Sequence, residues 1–437
     1  MRRTATFRAV TLLTLLAFTS SCMTTQLPPI SSAGGDFEPL PDEQALWEEA
    51  RDEEKKLLEE ADLYEDPLLE DYLEDVVSRL TPPGMAANEA VRYRVRVIED
   101  PTLNAFAYPH GSLYVHTGLL ARMENEDQIA TVLGHEMTHV ENRHMVRYRR
   151  SAMNKQIGLS VAAVAAAVIL AGEQGDAMSR GQWGKAATIG VLGDVIVGLG
   201  LQLAFLASVN GYGRNLEHEA DQGGFAKLAA TGYDLQEAPK VYQALLEDRG
   251  EKPEVEAFFF GSRPQLTLRI ENARKYLAAH PAAGDVSPAG DAEAFSRRIR
   301  PVVRDDARLN LEMGRLTLAE AQLEKVRQWM PDDPEAHYLT GRLHLAKSET
   351  AEAEKDAAAQ AELRAAARES LRESIRLDPE RPGPHRELGL LLHRGGELRD
   401  ACRELRHYAR LDPDADDAER VRDYIRDLER DGECPGE

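Results

Sequence analysis

The stretch TVLGHEMTHVENRH, residues 131–144, sets His135 and His139 four residues apart, with Glu136 between them. Residues four apart on a helix share a face, so both imidazoles can offer a ring nitrogen to one metal ion. Glu136 is turned about 100° from His135, away from the ligand position but within reach of a water on the ion. Zinc lowers the pKa of such a water to about 7, and a carboxylate placed there takes its proton as the water attacks a peptide carbonyl. A catalytic zinc needs a third protein ligand as well. That ligand separates a working site from a chance pairing of histidines.

A further histidine in the same segment does not supply it. The metzincin arrangement requires Gly and His where this chain has Asn142 and Met145. His144 lies five residues past His139, off the ligand face, and is expected to be structural. An acidic ligand from a second helix is the alternative, and GYGRNLEHEADQGGFAKLAATGYD, residues 211–234, offers one. Glu217 and Asp221 share a face there, whereas Glu219 points nearly opposite to Glu217. Glu217 is the expected zinc ligand, and Asp221 either hydrogen-bonds a zinc histidine or assists the tetrahedral intermediate.

These residues need a frame. EQALWEEARDEEKKLLEEADLYEDPLLEDYLEDVVSRL, residues 43–80, is helical by periodicity, with Leu68, Leu69, Tyr72, Leu73 and Val76 on one face. VRYRVRVIED alternates valine with polar residues as a half-buried strand does, and NAFAYPHGSLYVHTGLL supplies a second strand just before the metal helix. Two apolar stretches follow, 157–172 and 186–209. The first falls short of the roughly 20 residues a span needs, and the second contains Asp194, a carboxylate that costs about 2.5 to 3.5 kcal/mol near the bilayer centre. Both are expected as buried or membrane-apposed helices, with a membrane hairpin as the alternative.

PAAGDVSPAGD, residues 281–291, reads as a linker. Beyond it Asp378-Pro379 and Asp412-Pro413 are 34 residues apart, the period of tetratricopeptide helix pairs. Asp333-Pro334 lies 45 residues upstream of Asp378-Pro379, and the 11 extra residues fall in AEAEKDAAAQAEL. Eleven residues are close to three helical turns, so the insertion is expected to lengthen one helix without rotating its buried face. Such repeats stack into a surface for docking proteins or peptides. Cys402 opens the second helix of the last repeat and Cys434 follows the terminal helix, which places them to form a disulfide in an oxidising compartment.

At 437 residues the chain exceeds what one hydrophobic core supports. Its 53 basic and 75 acidic residues give a formal net charge of −22, which excludes nucleic acid as a partner. MRRTATFRAVTLLTLLAFTSSC sets Arg2, Arg3 and Arg8 before an apolar run that ends in small residues and Cys22, the pattern of a bacterial export signal. It resembles a lipoprotein signal, with Thr19 where leucine is usual. That resemblance implies a lipidated Cys22, and Met23 rather than Asp after it implies an outer-membrane destination. MTTQLPPISSAGGDFEPLPD, residues 23–42, reads as a tether.

His135-Glu136-Met137-Thr138-His139 and Glu217-His218-Glu219-Ala220-Asp221 together resemble the HExxH and ExxAD motifs of the HtpX/BepA-like zinc metallopeptidases, gluzincins that include the CAAX prenyl protease. NAFAYPHGSLYVHTGLL is similar to that family's strand before the zinc helix, and LYEDPLLEDYLEDVVSRL to its N-terminal helix, so the likeness covers about 63–275. The order of signal, peptidase and repeats resembles the periplasmic BepA-like branch, which degrades misassembled outer-membrane proteins. The resemblance implies one zinc ion per chain on His135, His139 and Glu217, with Glu136 as general base and Asp221 as proton donor. It also implies that an extended substrate adds to the strand around Leu113–Val115. Two departures stand out. His110-Gly111 replaces the family's Gly-Gly, and His110 is expected as a surface turn residue. Arg263 replaces the histidine of a His-Pro dipeptide in GSRPQLTLRIENA; an arginine cannot ligate zinc, and it is expected to pair with Glu136 or Glu217 instead.

The expected fold is α+β, a mainly helical zincin-type metallopeptidase domain with a small sheet, followed by an all-α tetratricopeptide-repeat domain. The expected boundaries are a lipoprotein signal at 1–21, a tether at 22–42, the peptidase at 43–280, a linker at 281–291 and the repeats at 292–437. The expected function is a zinc endopeptidase of the bacterial envelope, periplasmic and held at the outer membrane through Cys22. Its expected partners are protein substrates, outer-membrane proteins or their assembly machinery, met through the repeats. The alternative is a chaperone or assembly scaffold with little proteolytic activity.

Overall fold

The computed structural model describes residues 23–155, 212–247, 263–280, 292–350 and 356–434. The export signal with Cys22, both apolar stretches and the linker at 281–291 lie outside the described residues. Among the described residues, no helix is long and apolar enough to cross a membrane.

Helix α1 (Pro41–Glu60) opens on a proline with Asp42 and Glu43 in its first turn. Helix α2 (Pro67–Leu80) is capped by the Asp66 carboxylate, which accepts from the N–H groups of Leu68 and Leu69, and it buries Leu69, Leu73, Val76, Val77 and Leu80. Three strands follow: β1 (Arg94–Ile98), β2 (Ala105–Ala107) and β3 (Ser112–His116). β1 alternates as its sequence does, with Val95 and Val97 buried and Arg94 and Arg96 exposed. The sheet order is β1-β3-β2, with β1 parallel and β2 antiparallel to β3, in a register that faces Val95 to Leu113 and Phe106 to Tyr114.

This order corrects the expected docking strand. Leu113–Val115 lies in the central strand, both of whose edges are already paired, so a substrate cannot add there. The helix that carries His139 packs against β2, and Ala107 and His139 line one cavity.

The β2–β3 hairpin turns through Gly111 at φ +109°, where a Cβ would lie 2.6 Å from the Arg92 carbonyl oxygen. His110 is a turn residue, as expected, and it has an anchor. Its Nε2 lies 2.7 Å from Glu54 Oε2 of α1, and the Tyr114 hydroxyl donates to Glu54 Oε1 at 2.8 Å.

The expected tether is docked instead. The Asn154 side-chain amide accepts from Met23 N–H at 2.9 Å and donates to Met23 C=O at 2.7 Å, and Arg150 donates to Thr24 C=O at 3.0 Å. Ile30 and Phe37 are buried, and Leu27 packs on Leu46, Met145, Val146 and Tyr212. Three apolar anchors spread through a Pro- and Ser-rich stretch are enough to fix it.

Helix α3 (Glu126–Glu141) is followed by a helical stretch at 144–155, then α4 (Arg214–Thr231), α5 (Ala238–Glu247) and α6 (Arg263–Ala279).

A second compact unit runs from Glu293. Its helices are α7 (Ala292–Glu312), α8 (Leu316–Trp329), α9 (Pro334–Ser348), α10 (Ala357–Leu377), α11 (Pro382–Arg394), α12 (Leu398–Leu411) and α13 (Ala418–Arg430). From α8 on, each packs on the next along the chain. Gly341 of α9 meets Leu371 of α10 where a Cβ would lie 2.7 Å away, and Gly389 of α11 meets Leu405 of α12 in the same manner at 2.8 Å. Helix α10 has 21 residues against 14 in α8 and α12, so about two turns of the insertion extend the helix. Its buried residues Ala367, Leu371 and Ser374 all lie in its second half, leaving the added turns outside the packed face. Cys402 and Cys434 are joined in a disulfide with their Cα atoms 5.6 Å apart.

Candidate metal centre

Helix α3 starts on Asn125, whose side chain accepts from the Gln128 N–H at 3.0 Å, and all of its residues are buried. Helix α4 crosses it at a glycine contact. A Cβ on Gly224 would lie 3.1 Å from the His135 backbone nitrogen, and one on Gly223 would lie 2.3 Å from Thr138 Cγ2. Only side chains this small let the two backbones approach closely enough for α4 to deliver its carboxylates to α3.

The result is a convergent donor set. His135 Nε2 and His139 Nε2 are 3.0 Å apart, and the Glu217 carboxylate faces both, Oε2 at 3.3 Å from His135 and Oε1 at 3.7 Å from His139. One donor atom from each of these three residues lies within 4.8 Å of the others. Glu136 is buried beside them and hydrogen-bonds to none of the described residues.

Asp221 sits behind His135, Oδ1 at 2.9 Å from Nδ1. Arg269 of α6 grips it through Nη2 at 2.6 Å and Nε at 3.0 Å, and the Tyr242 hydroxyl of α5 donates to it at 2.8 Å. Of the two roles open to Asp221, the geometry favours orienting a metal-facing histidine. A carboxylate saturated by a guanidinium and a phenol holds no proton to donate, so the role of proton donor is not supported. The arginine that reaches Glu217 is Arg269, Nη1 at 3.8 Å; the side chain of Arg263, on which the earlier expectation rested, lies outside the described residues.

His144 is not remote from the site. Helix α3 ends at Glu141, and Arg143 adopts φ +57°, turning the chain so that His144 Nδ1 lies 2.8 Å from His139 Nδ1. On an uninterrupted helix His144 would point elsewhere, and nothing in its spacing reveals this return. Arg143 is held in the turn by buried Glu43, which accepts from its Nε at 2.9 Å, and its guanidinium lies over the Phe37 ring. Tyr212 completes the surround, its ring 4.6 Å from that of His139 and its backbone N–H donating to Glu217 Oε1 at 2.8 Å. Tyr242 and Tyr212 carry no sequence signal for this role; Arg269 follows the flagged Arg263-Pro264 on the same helix.

Burial, with the negative charge of Glu217 adding to it, pushes the Glu136 carboxyl up to about 8 against the opposing pull of His135 and Arg269. Burial and the charge of Arg269 lower the proton affinity of His135, but Asp221 and Glu217 outweigh them and bring it up to about 9. Burial works against ionisation of Glu217 also, yet His139, His135 and Arg269 hold it well below the usual carboxylate range. A half-buried carboxylate kept ionised beside two imidazoles is an electrostatic setting that favours a cation.

The profile of peptidase family M48 matches residues 67–277, which contain every residue of this constellation. Residues 67–277 are an M48 peptidase domain. The chain is 28% identical over 193 residues to the beta-barrel assembly-enhancing protease of Escherichia coli K12, covering 44% of this chain and 36% of that protein. It is 28% identical over 224 residues to the protein of the same name from Yersinia pestis, covering 51% and 41%. With the mitochondrial metalloendopeptidase OMA1 of Arabidopsis thaliana the figures are 29% over 157 residues, 36% and 26%. The matched region thus spans well under half the length of these relatives. Two imidazoles and one carboxylate converging on a point fit zinc, and in the M48 domain His135, His139 and Glu217 are the residues that would hold it.

Proposed function

We propose that this protein is a zinc endopeptidase. The observation that carries the proposal is the convergence of His135, His139 and Glu217 with buried Glu136 beside them, inside the M48 domain. Bound zinc would supply the Lewis acidity that polarises a peptide carbonyl and activates water. The chain's own residues do the rest. Glu136, buried beside the metal donors, takes the proton of the attacking water and returns it to the leaving amine. Asp221, fixed by Arg269 and Tyr242, holds the His135 ring in orientation.

Substrate main chain adds along the outer edge of β2, where Ala105 and Ala107 turn their backbone groups away from β3 and toward the cavity that reaches His139. The substrates are unfolded or misassembled proteins of a bacterial envelope. The export signal, the names of the bacterial relatives and the helical unit from Glu293 support this, the helical unit serving as a tetratricopeptide docking surface. The lipidated Cys22 places the enzyme on the periplasmic face of the outer membrane.

The test is casein cleavage by the zinc-loaded protein and by Glu136→Gln, with metal content measured for both. Cleavage by wild type alone, at equal zinc, supports the proposal. Zinc bound in both with cleavage by neither points to the chaperone or scaffold alternative.

A further inference from the structure

The two metal-facing histidines have unlike outer partners. His135 presents Nδ1 directly to the Asp221 carboxylate. The outer nitrogen of His139 faces another imidazole instead: its Nδ1 lies 2.8 Å from Nδ1 of His144, whose Nε2 lies 3.4 Å from Glu219 Oε1. Two imidazole nitrogens at that separation share one hydrogen, and the question is which ring owns it. If His139 binds a cation through Nε2, its Nδ1 carries the hydrogen. His144 must then accept through Nδ1 and carry its own hydrogen on Nε2, which faces Glu219. The donors thus have one direction, from His139 through His144 toward the Glu219 carboxylate, which lies close to His144 Nε2 without forming a hydrogen bond to it among the described residues.

Glu219 is built for that end point. Its Oε1 accepts from Arg147 Nη1 at 2.6 Å and from Asn142 Nδ2 at 3.0 Å. His144 is wholly buried, whereas the Glu219 side chain is 39% exposed, so the link runs from the metal centre to the surface. It ties three elements together: α3 through His139, the helical stretch 144–155 through His144, and α4 through Glu219, two residues past Glu217.

We propose that His144 and Glu219 form a positioning relay that fixes the Nδ1–H tautomer and ring orientation of His139, and through them the affinity of the centre for its metal. The relay rests on the zinc-site reading of His139 given above. Neither residue touches metal or substrate; each acts through His139. Loss of such outer partners weakens metal binding by about 10- to 100-fold.

The experiment measures zinc affinity of the full chain by competition with a chromophoric chelator, for wild type, His144→Ala, Glu219→Gln and the double variant. Nitrogen-15 spectra of the histidine rings in the zinc-loaded wild type accompany it. Each single variant is expected to bind zinc about tenfold more weakly or worse, the double variant no more weakly than His144→Ala, and His144 to show hydrogen on Nε2. Glu219→Gln leaves the buried core intact, so it keeps the test decisive if His144→Ala fails to fold. Wild-type affinity in Glu219→Gln, losses that add in the double variant, or hydrogen on Nδ1 of His144 would each overturn the relay while leaving the zinc site standing. A wild-type chain that binds no zinc would overturn the zinc site and the relay together.

Discussion

Asp221 and Arg269 form a bidentate ion pair directly behind His135, with guanidinium nitrogens 2.6 and 3.0 Å from the two carboxylate oxygens and both side chains almost wholly enclosed. Arg269 also stacks on Tyr242, its guanidinium carbon 4.4 Å from the ring centroid. The pair therefore locks α6 and α5 to the metal-binding helix pair. Breaking a buried ion pair from one side strands the other charge, which costs about 3 to 5 kcal/mol. Arg269→Ala is expected to lower unfolding stability by about that amount, and Asp221→Asn combined with it to recover part of the loss, because the stranded charge is gone. Urea unfolding of the two variants decides this; a double variant no more stable than Arg269→Ala would show that the pair is not what the arginine stabilises.

Gly224 faces the His135 backbone so closely that a Cβ would already stand 3.1 Å from its nitrogen. Gly224→Val adds two methyl groups beyond that Cβ and pushes α4 away from α3. Overpacking of this kind costs about 1 to 3 kcal/mol, and here the displacement also carries Glu217 off the two histidines. The expected outcome is a folded but less stable protein with zinc affinity reduced by at least tenfold. Circular dichroism checks the first part and chelator competition the second; unchanged zinc affinity would mean that the helix crossing does not set the ligand geometry.

The three donors were legible because helical spacing alone puts His135 with His139, and Glu217 with Asp221, on common faces. Local periodicity also carried α1, α2 and β1. What lay hidden depends on chain reversals. His144 returns to His139 only because Arg143 takes a left-handed conformation, which an arginine rarely adopts and which Glu43, 100 residues away, stabilises. The sheet order placed β3 in the middle, a long-range pairing that no alternation of valines in β1 or β3 encodes. The docked segment 23–40 reads as a tether because its three apolar anchors are too sparse to form a periodic pattern.

Glu54 ties α1 to the β2–β3 hairpin. Burial raises the proton affinity of its carboxyl, but hydrogen bonds from His110, Ser112 and Tyr114 outweigh that and hold it at about 2, against an ordinary value of 4.5. A carboxyl depressed in the folded state contributes stability above its unfolded pKa and loses it as pH falls through its folded one. The Glu54 contribution is therefore complete above about pH 5 and declines progressively from there towards pH 2. Urea melts of wild type and Glu54→Gln at pH 6 and pH 3 are expected to differ more at the higher pH. An equal gap at both values would assign Glu54 no linked proton.

The Cys402–Cys434 disulfide closes a loop of 32 residues around α12 and α13, the last two helices of the second unit. Cys402 is fully buried against Leu405, Val421 and Leu428, so its partner pins the terminal helix over an apolar cluster rather than over solvent. In the chain-entropy account a loop of that length is stabilised by about 3 to 4 kcal/mol relative to the open chain. Cys402→Ser with Cys434→Ser is expected to lower the unfolding transition of the helical unit by a corresponding amount and to leave zinc content unchanged, because the metal donors all belong to the other compact unit. Thermal unfolding followed by circular dichroism, with zinc content measured in parallel, tests both halves. If reduction or substitution left the transition where it was, packing of Val421, Ile425 and Leu428 alone would account for the order of the terminal helix.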